Sequence, residues 1–263
     1  MSNFKSGYKP DPHDPRDRIL DTAVLTEMVS VGAVYNTDEH IIVEHTPVSD
    51  QGSLSSCVAN AVCDALEVLL GVENPASVVQ LSRMLCYWNA RSYTQDTDKD
   101  DGTYIRNAID SLRTLGVCPE AVWPYSASNV FAQPPIRAYQ KSIDNKIESY
   151  YRIGGEGKER CDTVEHAIRS NHPVVFAAPV TDEFTRYFRN DGKVWPATKT
   201  WVGYHAMIVV GVRYVNGERQ FKIRNSWGTS WGDNGHTWFS ESYMGSPEVN
   251  DLWVLTRVPE LVF

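Results

Sequence analysis

The apolar positions in the first half of the chain repeat with the period of an α-helix. From residue 56 to residue 70 they recur at steps of three and four, at Val58, Ala61, Val62, Ala65, Leu66, Leu69 and Leu70. This spacing predicts a helix over 56–70. Ser55 or Ser56 is expected to cap its start, and Gly71 is expected to end it.

Two further helices and an irregular N-terminal stretch complete this half. Helical periodicity predicts helices over 78–89 and 104–115, the second of them ended by Gly116. Residues 1–30 show no such period, and their prolines at positions 10, 12 and 15 favour extended or turn-like backbone. We therefore expect an extended N-terminal arm, which could be a simple tail, an interface segment or an inhibitory segment over a cleft; we favour the last.

The second half of the chain changes from helical to strand character near residue 147. An Asn216–Gly217 pair predicts a tight hairpin. Short apolar runs predict strands at 174–178, 205–210, 221–224, 238–239 and 252–255. The sequence thus predicts an α+β domain over 31–263. Its mainly helical lobe covers about 50–146 and its β-rich lobe about 147–255, with a cleft between the lobes.

Composition and charge narrow the class of partner. The 263 residues suffice for one large domain of two packed lobes, and the net charge is −8 with no basic run. This charge argues against nucleic acid or an anionic membrane as the partner. The sequence has neither a membrane-spanning apolar stretch nor an apolar core in its first twenty residues. We expect a monomer in the cytoplasm, with signal-independent export left open.

The cysteines and acidic residues do not indicate a metal site or a disulfide framework. An odd number of cysteines at irregular spacing, without a Cys-x-x-Cys pair, favours free thiols in a reducing compartment. The acidic run 96–102 superficially resembles a calcium-binding loop. However, Asp101 occupies the place of its glycine and Asn107 that of its bidentate glutamate. A solvated acidic loop is favoured, and no cofactor or metal is expected.

Four residues have the chemistry of a thiol acyl-transfer site. Cys57 falls in the first turn of the predicted helix, where free N–H groups and the helix dipole favour a thiolate. His205 begins a predicted strand and can accept the thiol proton, while Asn225 can orient its ring. The Gln51 amide and the Cys57 backbone N–H can form an oxyanion hole, and Trp227 can shield the His205–Asn225 bond. Each residue alone is ordinary, but together and in this order they predict a catalytic site.

The same residues lie in motifs that resemble those of the papain and cathepsin family. Gln51-Gly52, four residues and then Cys57 resemble its nucleophile segment, and His205-Ala206 and the run 225–235 resemble its other two signatures. The resemblance covers about 45–258 and is greatest to the bacterial branch. One departure is Leu54, which replaces the disulfide cysteine of that segment. The resemblance implies a two-lobed papain-like fold with a helical lobe and a β-barrel-like lobe.

The resemblance also implies an activity and a substrate-binding surface. The expected reaction is hydrolysis of peptide bonds by a cysteine endopeptidase, through a thiolate–imidazolium pair and a thioester, on a peptide or protein substrate. Family members bind the substrate extended and antiparallel to backbone beside the cleft. Gly102, Thr103 and Tyr104 resemble the segment that lines subsites S2 and S3. Ala177 and Ala206 resemble the S2 wall, whose small side chains leave room for a bulky apolar P2 residue.

Two other functions use the same fold. An isopeptidase, deamidase or transglutaminase-like enzyme would share the four residues and differ in the acyl acceptor. A catalytically silent papain-like binding protein is the other alternative. The presence of all four residues argues against it, because a silent domain has no need to keep them.

Overall fold

The computed structural model describes residues 6–20, 24 and 37–257. The helices with defined bounds are α1 (Cys57–Glu73), α2 (Arg83–Ser92), α3 (Ile105–Thr114), α4 (Ile136–Ser142), α5 (Gly157–Arg169), α6 (Asp182–Thr185) and α7 (Glu241–Met244). Single turns of 3₁₀-helix cover Pro75–Ser77 and Ala127–Asn129. In this part of the chain no helix has both the length and the apolar character needed to cross a bilayer.

The helical lobe is built around α1, which is buried from Cys57 to Gly71. The prediction that Gly71 ends this helix is wrong, because α1 continues to Glu73. A Cβ atom at Gly71 would lie 2.7 Å from Cδ2 of His45, so the glycine makes room for that ring inside the helix. Ser56 precedes the helix, although its side chain forms no capping hydrogen bond.

The second and third predicted helices are present, but the second begins and ends later than the predicted 78–89, at Arg83 and Ser92. Helix α2 begins at Arg83 and not at residue 78, because the hydroxyl of Ser82 accepts a hydrogen bond from the backbone N–H of Leu85 and caps it there. Helix α3 covers the predicted segment and ends at Thr114. Gly116 follows with a φ of 78°, as expected of a residue that terminates a helix.

The strands form one large sheet and one short pair. They are β1 (Tyr8–Lys9), β2 (Glu39–Ile41), β3 (Thr103–Tyr104), β4 (Ser149–Ile153), β5 (Val174–Val180), β6 (Val194–Trp195), β7 (Gly203–Val215), β8 (Glu218–Arg224), β9 (His236–Ser240) and β10 (Asn250–Arg257). The eight-stranded sheet has the order β4-β10-β5-β7-β8-β9-β6, and β2 pairs with β7. Its end strands β4 and β6 do not pair, so the described sheet is open, whereas a barrel-like lobe was expected.

The pairing within this sheet brings distant segments to one place. β5 and β7 are antiparallel, and Ala178 lies opposite His205. β7 and β8 form the predicted hairpin, in which Asn216 and Gly217 both have positive φ, as a tight turn of this type requires. Helix α1 packs against β7. The thiol of Cys57, at the start of α1, hydrogen-bonds the backbone of Ala206 near the start of β7, so these two ends lie together.

The described part of the predicted arm crosses from the helical lobe to the sheet. β1 pairs with β3 in parallel, with Tyr8 opposite Thr103. Farther along, the backbone N–H of Leu20 donates to the carbonyl of Arg152 on β4. Residues 1–5, 21–23 and 25–30 of the predicted arm lie outside the described residues.

Candidate active site

The thiol lies at the N-terminal end of a long buried helix. Cys57 is the first residue of α1, and it is fully buried. Backbone N–H groups of the first helical turn have no partner within the helix, so they and the helix dipole favour a negative charge here. The sequence predicted this position for the nucleophile.

The imidazole lies on the neighbouring strand and is held from two sides. Nε2 of His205 lies 2.7 Å from Oδ1 of Asn225, the residue that follows β8. The same oxygen accepts from the backbone N–H of Ser226 over 2.7 Å. The ring of Trp227 stacks on the imidazole with its centroid 4.3 Å away. With Asn225 at Nε2, the ring presents Nδ1 as its second nitrogen for chemistry with the thiol.

The side chain of Gln51 is held beside the loop that leads to the thiol. The hydroxyl of Ser226 donates to Oε1 of Gln51 over 2.7 Å, and Nε2 of Gln51 donates to the carbonyl of Leu54 over 2.9 Å. The backbone carbonyl of Gln51 accepts from the hydroxyl of Tyr125 over 2.9 Å. These bonds set the amide with its nitrogen toward the nucleophile loop, as an oxyanion donor requires.

A backbone segment of the arm covers the thiol. A Cβ atom added to Gly7 would lie 3.0 Å from Sγ of Cys57 and would overlap the carbonyl of Ser55, so only glycine fits there. The carbonyl of Gly7 accepts from the backbone N–H of Thr103 over 3.0 Å. The hydroxyl of Ser6 donates to the carbonyl of Tyr204 over 2.8 Å. The arm thus bridges the two walls of the cleft at the reactive atom.

Burial under the arm opposes the charged forms of both reactive groups. It raises the pKa of the Cys57 thiol to about 11, against a smaller lowering by backbone hydrogen bonds that include those of Ala206 and Gly7. It lowers the pKa of His205 to about 4, against a smaller rise from the hydrogen bond to Asn225. A thiolate–imidazolium pair was expected from the sequence. In this covered state desolvation favours the neutral thiol and imidazole.

The predicted substrate-binding residues occupy two walls of this cleft. Thr103 and Tyr104 form the strand that pairs with the arm, and Gly102 precedes them, where a Cβ atom would overlap the Gly7 carbonyl. Ala177 and Ala206 lie opposite each other on β5 and β7, and both are fully buried. The structure therefore brings the first three against the arm and sets the two alanines within the sheet behind it.

The acidic run that superficially resembled a calcium loop is committed to other partners. Asp96 pairs with Lys9 at 3.2 Å and with Lys99 at 2.9 Å. Oδ1 of Asp100 accepts from the backbone N–H of Ser55 over 3.0 Å and from the hydroxyl of Tyr87 over 2.8 Å. In the described ranges no group of three or more His, Cys, Asp and Glu residues could hold a metal ion.

Three residues at the site were missed by the sequence reasoning. Ser226 lies inside the 225–235 run and could have been recognised there as the partner of Gln51. Tyr8 is buried against the body of the protein, and its hydroxyl donates to Oδ2 of Asp251 over 2.6 Å. No local pattern connects these two residues, because they are brought together only by the folded chain.

Comparisons with known proteins agree with this geometry. A family model described as the papain family cysteine protease matches residues 36–253. An uncharacterised peptidase C1-like protein of Acanthamoeba polyphaga mimivirus is 29% identical over 219 residues, which cover 80% of this chain and 70% of that protein. Cathepsin L 1 of Paramecium tetraurelia is 25% identical over 205 residues, 78% of this chain and 59% of the cathepsin. This chain thus spans less than two thirds of the cathepsin's length.

Solved structures extend the likeness to the whole chain. Xylellain, a cysteine protease from Xylella fastidiosa, superposes with a TM-score of 0.82 at 27% identity, covering 98% of this chain and 99% of xylellain. The procathepsin B of Trypanosoma congolense superposes with a TM-score of 0.74 at 13% identity, covering 98% of this chain and 87% of that one, a likeness in fold alone. The bacterial structure therefore matches this chain over nearly its full length.

Proposed function

The chain belongs to the papain family of cysteine proteases, and from this we propose that it is a cysteine endopeptidase whose nucleophile is Cys57. The observation that supports the assignment most strongly is the convergence of four side chains from separate segments. Cys57 begins a helix, and its thiol hydrogen-bonds the backbone of Ala206, the residue after His205 on β7. His205 is bonded to Asn225 at 2.7 Å, and the amide of Gln51 is held by Ser226 and the Leu54 carbonyl.

The proposed reaction proceeds through a thioester. Sγ of Cys57 attacks the scissile carbonyl carbon while His205 takes the thiol proton, and the carbonyl oxygen becomes an oxyanion bound by Gln51 Nε2 and the Cys57 backbone N–H. His205 then gives its proton to the leaving amine as the carbon–nitrogen bond breaks. Water, deprotonated by His205, hydrolyses the thioester and restores the thiol. Asn225 keeps the imidazole in the required tautomer.

Replacement of the nucleophile tests this assignment directly. The Cys57→Ala variant should lose all cleavage of a denatured proteome in a mass-spectrometric assay, while keeping the melting temperature of the parent. Once the arm has been displaced, acid-pH labelling by an epoxide should modify Cys57 alone among the five cysteines. Cleavage that persists in Cys57→Ala would remove the proposal. Amide exchange products that outweigh hydrolysis when an amine is added would reassign the enzyme as an acyl transferase.

We further propose that the N-terminal arm inhibits the enzyme. Two observations support this role. Gly7 passes over Cys57. The arm also pairs in parallel with β3, whereas members of the family bind their substrate antiparallel to the backbone beside the cleft, so the arm runs in the opposite direction to a substrate. A peptide bound in that direction does not present its carbonyl for attack. The Gly7→Val variant of the 263-residue chain should displace the arm, because a side chain there overlaps Ser55, and should raise peptidase activity. Activity equal to the parent, with Cys57 alkylated no faster, would remove the inhibitory role.

We also propose the protein's setting and its substrate pocket. All five cysteines are free and buried, which supports a bacterial type of enzyme working in a reducing compartment such as the cytoplasm. We propose a monomer with no nucleic-acid partner, in line with the net charge of −8. Size-exclusion chromatography with light scattering tests the monomer. The small side chains of Ala177 and Ala206 support a pocket for a bulky P2 residue.

A further inference from the structure

The side chain of Tyr8 shows what the cleft accepts next to the nucleophile. Tyr8 follows Gly7, pairs with Thr103 and is only 8% exposed. Its ring lies 5.9 Å from that of Tyr204, between centroids, and its hydroxyl donates to Oδ2 of Asp251 over 2.6 Å. Burial and the carboxylate both raise the pKa of Tyr8, so the phenol stays protonated and acts as a donor. The arm thus fills a pocket beside Thr103 with an aromatic ring and a terminal hydrogen bond.

Asp251, the acceptor of that hydrogen bond, lies in a β-bulge. Between the pairs Asn250–Ala177 and Trp253–Val175, the register of β10 against β5 shifts by one residue. Asp251 lies in this bulge with a φ of 50°, and it is 5% exposed. Bulges re-aim side chains, and aspartate is among the few residues that tolerate this conformation. The carboxylate consequently meets Tyr8 from the arm and the guanidinium of Arg152 from β4.

The charges around Asp251 change when the arm leaves. Oδ1 of Asp251 is paired with Arg152, while Oδ2 has two arm donors, the Tyr8 hydroxyl and the backbone N–H of Asp11 at 2.6 Å. Asp17 on the arm pairs with Arg152 at 3.0 Å and with Arg106 at 2.6 Å. When the arm leaves, Asp251 loses both donors at Oδ2 and keeps Arg152 at Oδ1. The emptied pocket therefore keeps an acceptor at Oδ2, beside an arginine that is already present.

We propose that Asp251 makes this pocket select a tyrosine side chain of the substrate at P2, in preference to phenylalanine and to arginine or lysine. This inference rests on the proposed endopeptidase function and names the substrate class of that site. A phenol supplies the lost donor without bringing charge. Phenylalanine leaves Oδ2 buried and unpaired, and a basic side chain meets Arg152, which already holds Oδ1.

The size of the preference follows from the cost of an unpaired buried acceptor. Pockets that hydrogen-bond a substrate hydroxyl reject the analogue that lacks it, and a hydrogen bond to a charged group supports a difference of about tenfold or more. The apolar part of the pocket, by contrast, binds the tyrosine and phenylalanine rings almost equally well. We therefore expect kcat/KM for P2 tyrosine to exceed that for P2 phenylalanine by about tenfold, with P2 arginine lowest.

Two measurements on the 263-residue chain test the inference. In the first, peptides that differ only at P2 are cleaved by the Gly7→Val protein and by its Asp251→Asn and Tyr204→Phe derivatives. The tyrosine preference should shrink in Asp251→Asn, whose neutral amide is a weaker acceptor. It should persist in Tyr204→Phe, the matched control, because that hydroxyl donates to Glu248 at 3.0 Å and not to Asp251. Equal rates for tyrosine and phenylalanine, or a preference for arginine, would overturn the inference.

The second measurement does not depend on peptidase activity. The arm is the pocket's own ligand, so Tyr8→Phe and Tyr8→Arg should both release it and speed alkylation of Cys57, by about tenfold for the first. Alkylation unchanged in Tyr8→Phe would overturn the inference. If no variant cleaves any peptide but both Tyr8 variants are alkylated faster than the parent, the proposed function fails and the pocket assignment stands.

Discussion

The amide of Gln51 takes its orientation from two bonds, one from the Ser226 hydroxyl to Oε1 and one from Nε2 to the Leu54 carbonyl. An amide turned the other way would place oxygen where an oxyanion must bind, and the carbonyl, which can only accept, opposes that turn. Asn225 depends on Ser226 in a related way, because its Oδ1 accepts from the Ser226 backbone N–H as well as facing the imidazole. One serine therefore supports two of the four proposed catalytic residues.

Removal of the oxyanion donor should slow turnover without harming the nucleophile. In the Gly7→Val background, Gln51→Ala should lower kcat by about 10²–10³, the usual loss for one oxyanion donor. Alkylation of Cys57 should keep its rate, since the thiol and imidazole are untouched. Stopped-flow peptide hydrolysis and iodoacetamide kinetics check the two halves. Equal losses in both assays would mean that the substitution disturbs the whole loop.

The residues of the site differed in how well the sequence could predict them. Asn225 belongs to a run of eleven residues with a distinctive composition, and Cys57 to a helix with clear periodicity. Asp251 has neither, since its role depends on a bulge in β10 and on a partner 243 positions away. Such a residue is defined by pairing between distant segments, which local pattern does not encode.

At the scale of elements, helix boundaries depended on side-chain detail. The apolar period of the second helix begins near residue 78, but the hydroxyl of Ser82 caps the helix four residues later. The Gly116 stop was predicted correctly, because a residue of positive φ is needed there. Periodicity thus predicts that a helix exists, and capping contacts decide where it begins and ends.

The turn at Gly116 should be intolerant of a side chain. A Cβ atom there would overlap the carbonyl of Ser142 and lie 2.8 Å from that of Asn145. Gly116→Ala should therefore lower the free energy of unfolding by more than the roughly 1–2 kcal/mol of left-handed strain alone. Gly192→Ala is the matched control, since its φ is 67° and no atom lies within 4 Å of its added Cβ. Urea unfolding that gives equal losses for both would contradict the packing argument.

The arm should bind more tightly as the pH falls. In the docked arm, burial and the Asp251 carboxylate raise the pKa of Asp11 to about 7, against smaller lowering by Trp253 and Arg106, whereas an exposed aspartate titrates near ~3.9. At pH values between these two pKa values, docking of the arm is therefore accompanied by protonation of Asp11. Its strength should be greatest below about pH 4, fall by up to about tenfold per unit toward pH 7 and then level off.

Hydrogen exchange can follow this release directly. The backbone N–H of Thr103 donates to Gly7 in the docked state, so its protection, corrected for intrinsic exchange, reports docking. Asp11→Asn removes the titrating group and should flatten the profile over this range. Protection that rises with pH in the parent would show that another group controls the arm.

The whole molecule was predicted in outline, with an arm over the cleft, but the contacts that hold the arm there were not predicted. Helical and strand periods located two lobes and the cleft between them, and the similar solved structures agree. The occupant of the cleft was proposed only in general terms. β1 is two residues long and pairs with a strand that begins 95 positions later, so no periodic pattern could reveal it. Closure of the cleft is a property of long-range contacts.

The arm touches the body at Cys57 and again at Arg152, and it belongs to the same chain as the cleft it fills. A tethered ligand acts at an effective concentration on the order of millimolar, whatever the amount of enzyme present. Dilution therefore cannot open the intact protein. A single cleavage between residues 20 and 37 would turn the intramolecular docking of the arm into a bimolecular equilibrium. The freed segment would then dissociate more completely as the enzyme is diluted. The first cleaved molecules would then cleave other molecules in the same segment. Peptidase activity would therefore appear after a lag that shortens as the enzyme concentration rises.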